Sequence, residues 1–247
     1  MQMRLVISYL LTPVYYFAFG ALLGVFHPVQ VIARRIWGYE AHTKSVCFLN
    51  RLLVKSLHIV GARVQFSGFE LLPDNRPLIV VANHQSLFDI QAFVSGFAKW
   101  HPKFVSKIEL SRNIPSISYN LRHSGSALID RANGGQAIRE IIRLGRMIEA
   151  NNYAVCIYPE GTRSRNGQVR KFQSGGIKSL LKAAPSALVV PFVIEGHSDM
   201  MKYGYFPLVF GTNLKYTVLN PIEPIGKDAE DVVNECEIRI KQALGQA

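Results

Sequence analysis

Cysteine is scarce: three residues, Cys47, Cys156 and Cys236, widely spaced and odd in number in a chain of 247. That excludes a disulfide framework, and no pair stands at zinc-ligand spacing. The thiols suit reducing surroundings. Acidic residues are also few, 17 against 28 Lys plus Arg, leaving a formal net charge of +11. A balance this basic favours anionic partners: nucleic acid, an anionic membrane, or phosphorylated substrates. No recognised nucleic-acid motif occurs, which argues against the first. No Gly-x-Ser-x-Gly elbow occurs either, so the usual nucleophile of an α/β hydrolase is missing. Charge of either sign is absent from Leu5 through Ala33.

That uncharged run exceeds the ~20 residues needed to cross a bilayer. Arg4 precedes it and Arg34-Arg35 follow it, while Pro13 and the pair His27-Pro28 interrupt it. Three readings compete: a signal peptide cleaved near Ala18-Phe19-Gly20, a transmembrane helix, or a hairpin lying in one leaflet. The hairpin would be broken at His27-Pro28 and anchored by Arg34-Arg35. The run continues past Gly20, which speaks against cleavage, so we expect membrane attachment by one of the other two. Residues 1–60 are read as this membrane-associated helical segment, and 61–247 as an α/β domain. With 49% hydrophobic residues the chain can build a sizeable core.

Val46, Leu49, Leu53, Leu57 and Val60 recur at helical steps, which predicts an amphipathic helix over 43–60. Beyond it, short β-branched runs alternate with helical periodicity. Strands are expected over 63–67, 78–82, 103–107, 126–131, 153–158, 187–194 and 214–219. Helices are expected over 87–97, 135–150, 175–184 and 229–244. The alternation predicts an α/β class, with a mixed, largely parallel sheet flanked by helices.

Two polar clusters follow predicted strands, where open α/β sheets place their chemistry. The first is Asn83-His84-Gln85-Ser86-Leu87-Phe88-Asp89, with Ser86 a natural N-cap. Asp89 can hold one nitrogen of His84 and leave the other as an acceptor, the arrangement of a general base with an orienter. A capped loop with a satisfied histidine would show the same spacing. The second cluster is Glu160-Gly161-Thr162-Arg163-Ser164-Arg165. Gly161 lets backbone amides approach a ligand, Thr162 and Ser164 offer hydroxyls, and Arg163 offers a planar fork suited to phosphate. Glu160 is expected to fix the arginine, and Arg170, Lys171, Lys178 and Lys182 extend the positive charge. A solvated basic loop is the plainer alternative. A serine hydrolase using Ser86, or Ser198 flanked by His197 and Asp199, is a rival, although adjacent residues fold back into a triad with difficulty.

Taken together, the motifs resemble the glycerolipid acyltransferase family, in particular its 1-acyl-glycerol-3-phosphate branch, over about residues 60–219. Asn-His-x4-Asp is matched by Asn83-His84 and Asp89. The second region is matched by Lys107, Glu109-Leu110, Pro115 and Asp130-Arg131, the third by Tyr158 through Ser164, and the fourth by Val190-Pro191-Phe192-Val193-Ile194. Two stretches depart from the pattern. Lys171-Phe172-Gln173-Ser174-Gly175 stands where Phe-Lys-x-Gly is usual, and Ser116-Ile117-Ser118-Tyr119 replaces a Phe-x-Gly-like turn; both bear on acceptor and chain preference.

The resemblance implies acyl transfer from acyl-CoA or acyl-carrier protein to the sn-2 hydroxyl of lysophosphatidate, making phosphatidic acid. It implies His84 as base and Asp89 as its orienter. Lys107 and backbone amides near Gly161 would donate to the oxyanion. Glu160, Gly161, Thr162, Arg163 and Asn83 would hold the acceptor. No metal or cofactor is implied beyond the thioester co-substrate. The implied partners are lysophosphatidate, the thioester and an anionic membrane surface, without nucleic acid, at the inner membrane with the site facing the cytoplasm. The alternatives are another lysolipid or glycerol-3-phosphate as acceptor, and more remotely a lipid hydrolase or a non-catalytic lipid-binding protein.

Overall fold

The computed structural model describes residues 2–246. The elements run α1 (Gln2–Ser56), β1 (Arg63–Ser67), β2 (Leu78–Ala82), α2 (Asp89–Gly96), β3 (Lys103–Lys107), α3 (Ile117–His123), β4 (Ala127–Ile129), α4 (Gly134–Asn151), β5 (Ala154–Ile157), α5 (Gly175–Ala183), β6 (Leu188–Glu195), α6 (His197–Met200), β7 (Asn213–Val218) and α7 (Ala229–Ala243). The strands form a seven-stranded sheet ordered β1-β7-β6-β2-β5-β3-β4. Neighbours pair in parallel except β6 and β7, where Val193 faces Thr217 in antiparallel register.

Alternation along the strands separates two apolar layers. On one face, Val80, Cys156, Phe192 and Tyr216 pack with Phe88, Phe93 and Phe97 around α2 and with Tyr15, Val46 and Cys47 of α1. On the other, Ile79, Val81, Val155 and Val193 meet Leu144 and Ile148 of α4, Ile177 and Leu180 of α5, and Val233 and Ile240 of α7. Covering both faces explains why β2 is buried at every residue and carries no alternation in its sequence. Residues 2–56 thus share a core with the α/β region.

The first helix does reverse direction, but not at His27-Pro28. It runs through Pro13 and Pro28 and folds at Gly38, where φ is 79° and ψ is −159°. A proline costs a helix one hydrogen bond and kinks it, whereas a reversal needs a backbone conformation that only glycine reaches cheaply. The rings of Phe26 and Phe48 are 5.9 Å apart, a separation that continuous helix would stretch to about 33 Å. Leu23, Phe26, Leu49 and Leu53 bury one another between the two arms. Beside the elbow, the buried Lys103 ammonium donates to the His101 carbonyl at 2.7 Å. It also lies over the rings of Tyr39 and Tyr153, 5.4 and 4.8 Å from their centroids, which fastens the elbow to the start of β3.

The first arm docks along the domain by hydrogen bonds as well as packing. Ser8 Oγ accepts from Phe210 N and Thr12 Oγ1 from Leu208 N, both at 2.9 Å. Its opposite side is a stripe of exposed Met3, Val6, Leu10, Val14, Phe17, Val25, Val29, Ile32 and Ile36, at steps of three and four residues apart from the gap between Phe17 and Val25.

A Cβ at position 38 would meet no atom within 4 Å, so Gly38→Ala tests the backbone requirement alone. We expect a loss of about 1–3 kcal/mol, read as a lower denaturation midpoint in detergent. An unchanged midpoint would show that the elbow does not depend on glycine.

Candidate active site

The chain leaves β2 at Asn83, whose amide bonds both backbone groups of Ile194 at 2.8 Å. This clamp fixes where His84 emerges, and it occupies the Asn83 side chain in positioning rather than in facing a ligand. The His84 ring keeps 17% of its side chain exposed, while Asp89 has none. His84 Nδ1 lies 2.7 Å from Asp89 Oδ2. A carboxylate only accepts, so Nδ1 carries the proton and Nε2 is left as the acceptor. Asp89 Oδ2 also accepts from Gln85 N at 2.7 Å and Ser86 N at 3.0 Å. The helix starts at Asp89, two residues later than its sequence suggests, because Ser86 Oγ accepts from Phe88 N and donates to Asp89 Oδ1 at 2.9 Å.

Asp89 has a second imidazole partner. His197 Nδ1 donates to Asp89 Oδ1, and His197 Nε2 meets the Tyr216 hydroxyl at 2.7 Å. Burial raises the Asp89 pKa, but the hydrogen bonds from His197 and His84 more than offset it and hold the carboxyl well below the usual range. His197 stands directly after Gly196, where φ is 90° and a side chain would collide with the Asn213 carbonyl. The trio Ser86, His197 and Asp89 is no hydrolytic triad: serine and carboxylate both contact Nδ1, and Ser86 is fully buried. Ser198 donates its N–H to Gln85 Oε1 at 3.1 Å, a loop contact. Sequence reasoning noticed His197 only as that rival's base; the signal it offered was a Gly-His pair at a strand's carboxyl end.

The second cluster is sewn to the first. Glu160 does not hold Arg163. Its buried carboxylate accepts from His84 N at 2.7 Å and from Arg170 N at 3.0 Å. Burial raises its pKa, and those two backbone donors oppose the rise. A buried carboxylate takes whatever donors its loop offers, and here they are amides. Ser164 N donates to the His84 carbonyl at 2.7 Å, and Tyr158 stacks on the His84 ring at 4.2 Å. Gly161, at φ 71°, donates its own N–H to Tyr158 O at 3.2 Å, so that amide is not free for an oxyanion. Thr162 is exposed and Arg163 half-buried, and the Arg163 guanidinium donates to the Tyr205 hydroxyl at 2.6 Å. Lys107 is exposed at the carboxyl end of β3, which lies two strands from β2 or about 10 Å.

Two concavities are lined by residues that follow the two polar clusters in the chain. Thr162, Arg163, Arg165, Asn166 and Arg170 line a basic cleft. Leu87, Phe88, Phe19, Leu49 and Phe104 are among the residues around an apolar cavity of about 330 Å³. Tyr205 joins them, since its ring lines the cavity and its hydroxyl meets Arg163.

The family model for acyltransferases matches residues 63–195, from β1 to the end of β6. This chain belongs to the acyltransferase family. It is 24% identical over 201 residues to the 1-acyl-sn-glycerol-3-phosphate acyltransferase alpha of Mus musculus, covering 77% of this chain and 66% of that protein. It is 28% identical over 214 residues to the probable 1-acyl-sn-glycerol-3-phosphate acyltransferase of Mycoplasma pneumoniae, covering 79% and 76%. The chain spans only 54% of the Homo sapiens alpha protein, at 25% identity. The crystal structure of the 1-acyl-sn-glycerophosphate (LPA) acyltransferase PlsC from Thermotoga maritima has the same fold. Its TM-score is 0.78 over 98% of this chain and 97% of that one, at 24% identity. In this acyltransferase fold the matched stretch carries both polar clusters but ends before His197.

The depressed Asp89 pKa fixes a sign. Its stabilising contribution is present above the unfolded value of about 3.9 and is lost as pH falls through and below it. Denaturant melts between about pH 6 and pH 3 should show stability declining toward acid, and Asp89→Asn should flatten the slope. An equally steep decline in the variant would assign the acid sensitivity elsewhere.

Proposed function

We propose that this acyltransferase moves a fatty acyl group from a thioester, acyl-CoA or acyl-carrier protein, to the sn-2 hydroxyl of 1-acyl-glycerol-3-phosphate, producing phosphatidic acid. The observation that carries the reading is the His84–Asp89 pair on a loop whose next residues, Leu87 and Phe88, line an apolar cavity, and whose backbone is bonded to the loop that forms a cleft of three arginines. An acyl thioester and a lysophosphatidate together need those three features and little else.

His84 Nε2 takes the proton of the attacking hydroxyl, and Asp89 offsets the imidazolium charge that forms. The oxygen adds to the thioester carbonyl, the tetrahedral intermediate collapses, and the thiolate leaves. Because a thiolate leaves readily, no acyl-enzyme is required. Arg163, with Arg165 and Arg170 beside it, binds the acceptor phosphate through planar, multidentate contacts. The exposed Lys107 ammonium is the assigned donor to the oxyanion. Glu160 and Asn83 act through position, holding the loops on which His84 and Arg163 stand. The exposed stripe of α1 lies in one leaflet with Arg34 and Arg35 at its rim, which keeps the site at the lipid surface. We place that leaflet on the cytoplasmic side of the inner membrane.

Purified protein given lysophosphatidate and acyl-CoA should release thiol only when acceptor is present. Release without acceptor would make it a hydrolase, and silence would leave a binding protein. His84→Ala should lower turnover by about 10²–10⁴-fold; near-normal turnover would end the general-base assignment. Arg163→Lys should raise the acceptor's KM with little change in kcat, since one ammonium cannot copy a planar fork. An unchanged KM would take Arg163 out of phosphate binding.

A further inference from the structure

The apolar cavity is not wholly apolar. Gln30, Gln91 and Ser116 are among its lining residues, and they are 1%, 5% and 0% exposed. Among the described residues, Gln30 Oε1, Gln91 Oε1 and Ser116 Oγ meet no hydrogen-bond partner. Three such atoms around one cavity are unusual, because a buried polar group without a partner is destabilising.

Ser116 is held there against its backbone preference. Its φ and ψ are 63° and −53°, and Ile117 N donates to Pro115 O at 2.6 Å across it. That is a γ-turn of the rare, strained kind with positive φ. Every backbone group of Ser116 is used: its N–H donates to His27 Nδ1 at 3.1 Å and its carbonyl accepts from Asn120 N at 2.9 Å. Only the hydroxyl is left over. His27 lies one helical turn before Gln30, so the Ser116–His27 bond brings Ser116 and Gln30 to the same part of the cavity wall. That part is remote from the base. Phe19 packs on Phe88 at 6.3 Å, beside Asp89, and Gln30 lies eleven residues further along the helix, about 16 Å.

We propose that this far wall is a polar recognition station in the acyl-chain site, selecting acyl groups that carry a hydroxyl near their methyl end. The proposal rests on the acyl-transfer reading above. A bound hydroxyl donates to Gln30 Oε1 and accepts from Ser116 Oγ, pairing two groups that a plain alkyl chain would leave buried and unpaired. A pocket built around polar groups discriminates against a ligand that lacks their partner.

The test compares three donors at fixed lysophosphatidate: tetradecanoyl-CoA, ω-hydroxytetradecanoyl-CoA and β-hydroxytetradecanoyl-CoA. The ω-hydroxy donor should exceed the plain one in kcat/KM by about tenfold, the scale set by one unpaired buried group. The β-hydroxy donor, with its oxygen beside the carbonyl, should show no gain. Ser116→Ala and Gln30→Leu should each bring the ω-to-plain ratio down toward one. Ser116→Gly relieves the strained φ while removing the hydroxyl, and it serves if the alanine variant fails to fold. A ratio of one in the unmodified protein would overturn the proposal and mark the station as a water site. So would an equal gain for the β-hydroxy donor, or a ratio that survives the substitutions. Transfer from tetradecanoyl-CoA alone would leave the acyl-transfer reading standing; no transfer from any donor would overturn both.

Discussion

The carboxylate of Asp89 is wholly buried and accepts hydrogen bonds from two imidazoles, two backbone amides and one hydroxyl. Such a group cannot leave water without partners, so each donor is a structural requirement. The bonds reach outward in three directions. Gln85 and Ser86 shape the loop after β2, His84 faces the ligand space, and His197 with Tyr216 carries the connection to β6 and β7. The antiparallel pairing of β6 with β7 serves this network, because it puts Tyr216 of β7 behind His197. The ionised state of Asp89 is thus kept partly by an imidazole 108 residues away in the chain.

Much of the scaffold was legible in the chain. All seven strands lie within about two residues of their expected bounds, because runs such as Leu78 to Ala82 and Leu188 to Ile194 have no alternative but burial. α3 and α6 escaped notice because seven and four residues are too few to show a helical period. Sequence places the reversal of α1 at His27-Pro28, since proline is the stronger local breaker; tertiary packing absorbs both Pro13 and Pro28, and the turn falls to Gly38. His84 with Asp89 was legible because five residues of chain confine the pair. Glu160 was misjudged toward Arg163 for the opposite reason. Nearness in sequence suggested an ion pair, whereas burial decided in favour of backbone amides. The bond between His197 and Asp89 has no local signature at all.

The two clusters that pattern-reading kept separate are one unit in space. Glu160 takes the amide of His84, Ser164 gives its amide to the carbonyl of the same residue, and Tyr158 lies flat against the ring. His84 is therefore gripped on both sides of its peptide by the loop that carries the arginines. In the acyl-transfer reading, this sets the distance between the reacting hydroxyl and the phosphate of one acceptor molecule.

The wall made by α1 is held very differently. Its first arm is fastened to residues 205–210 by Arg4, Ser8, Thr12 and Tyr16, and its elbow by Tyr39 and Lys103. Between those ends His27 accepts from Ser116 N, while Phe19, Leu23 and Phe26 touch their neighbours through carbon alone. An alkyl tail entering sideways between Phe19 and Phe26 would exchange one hydrocarbon neighbour for another and break no hydrogen bond, so that stretch, ending short of the His27 bond to Ser116, forms a lateral doorway pinned on either side.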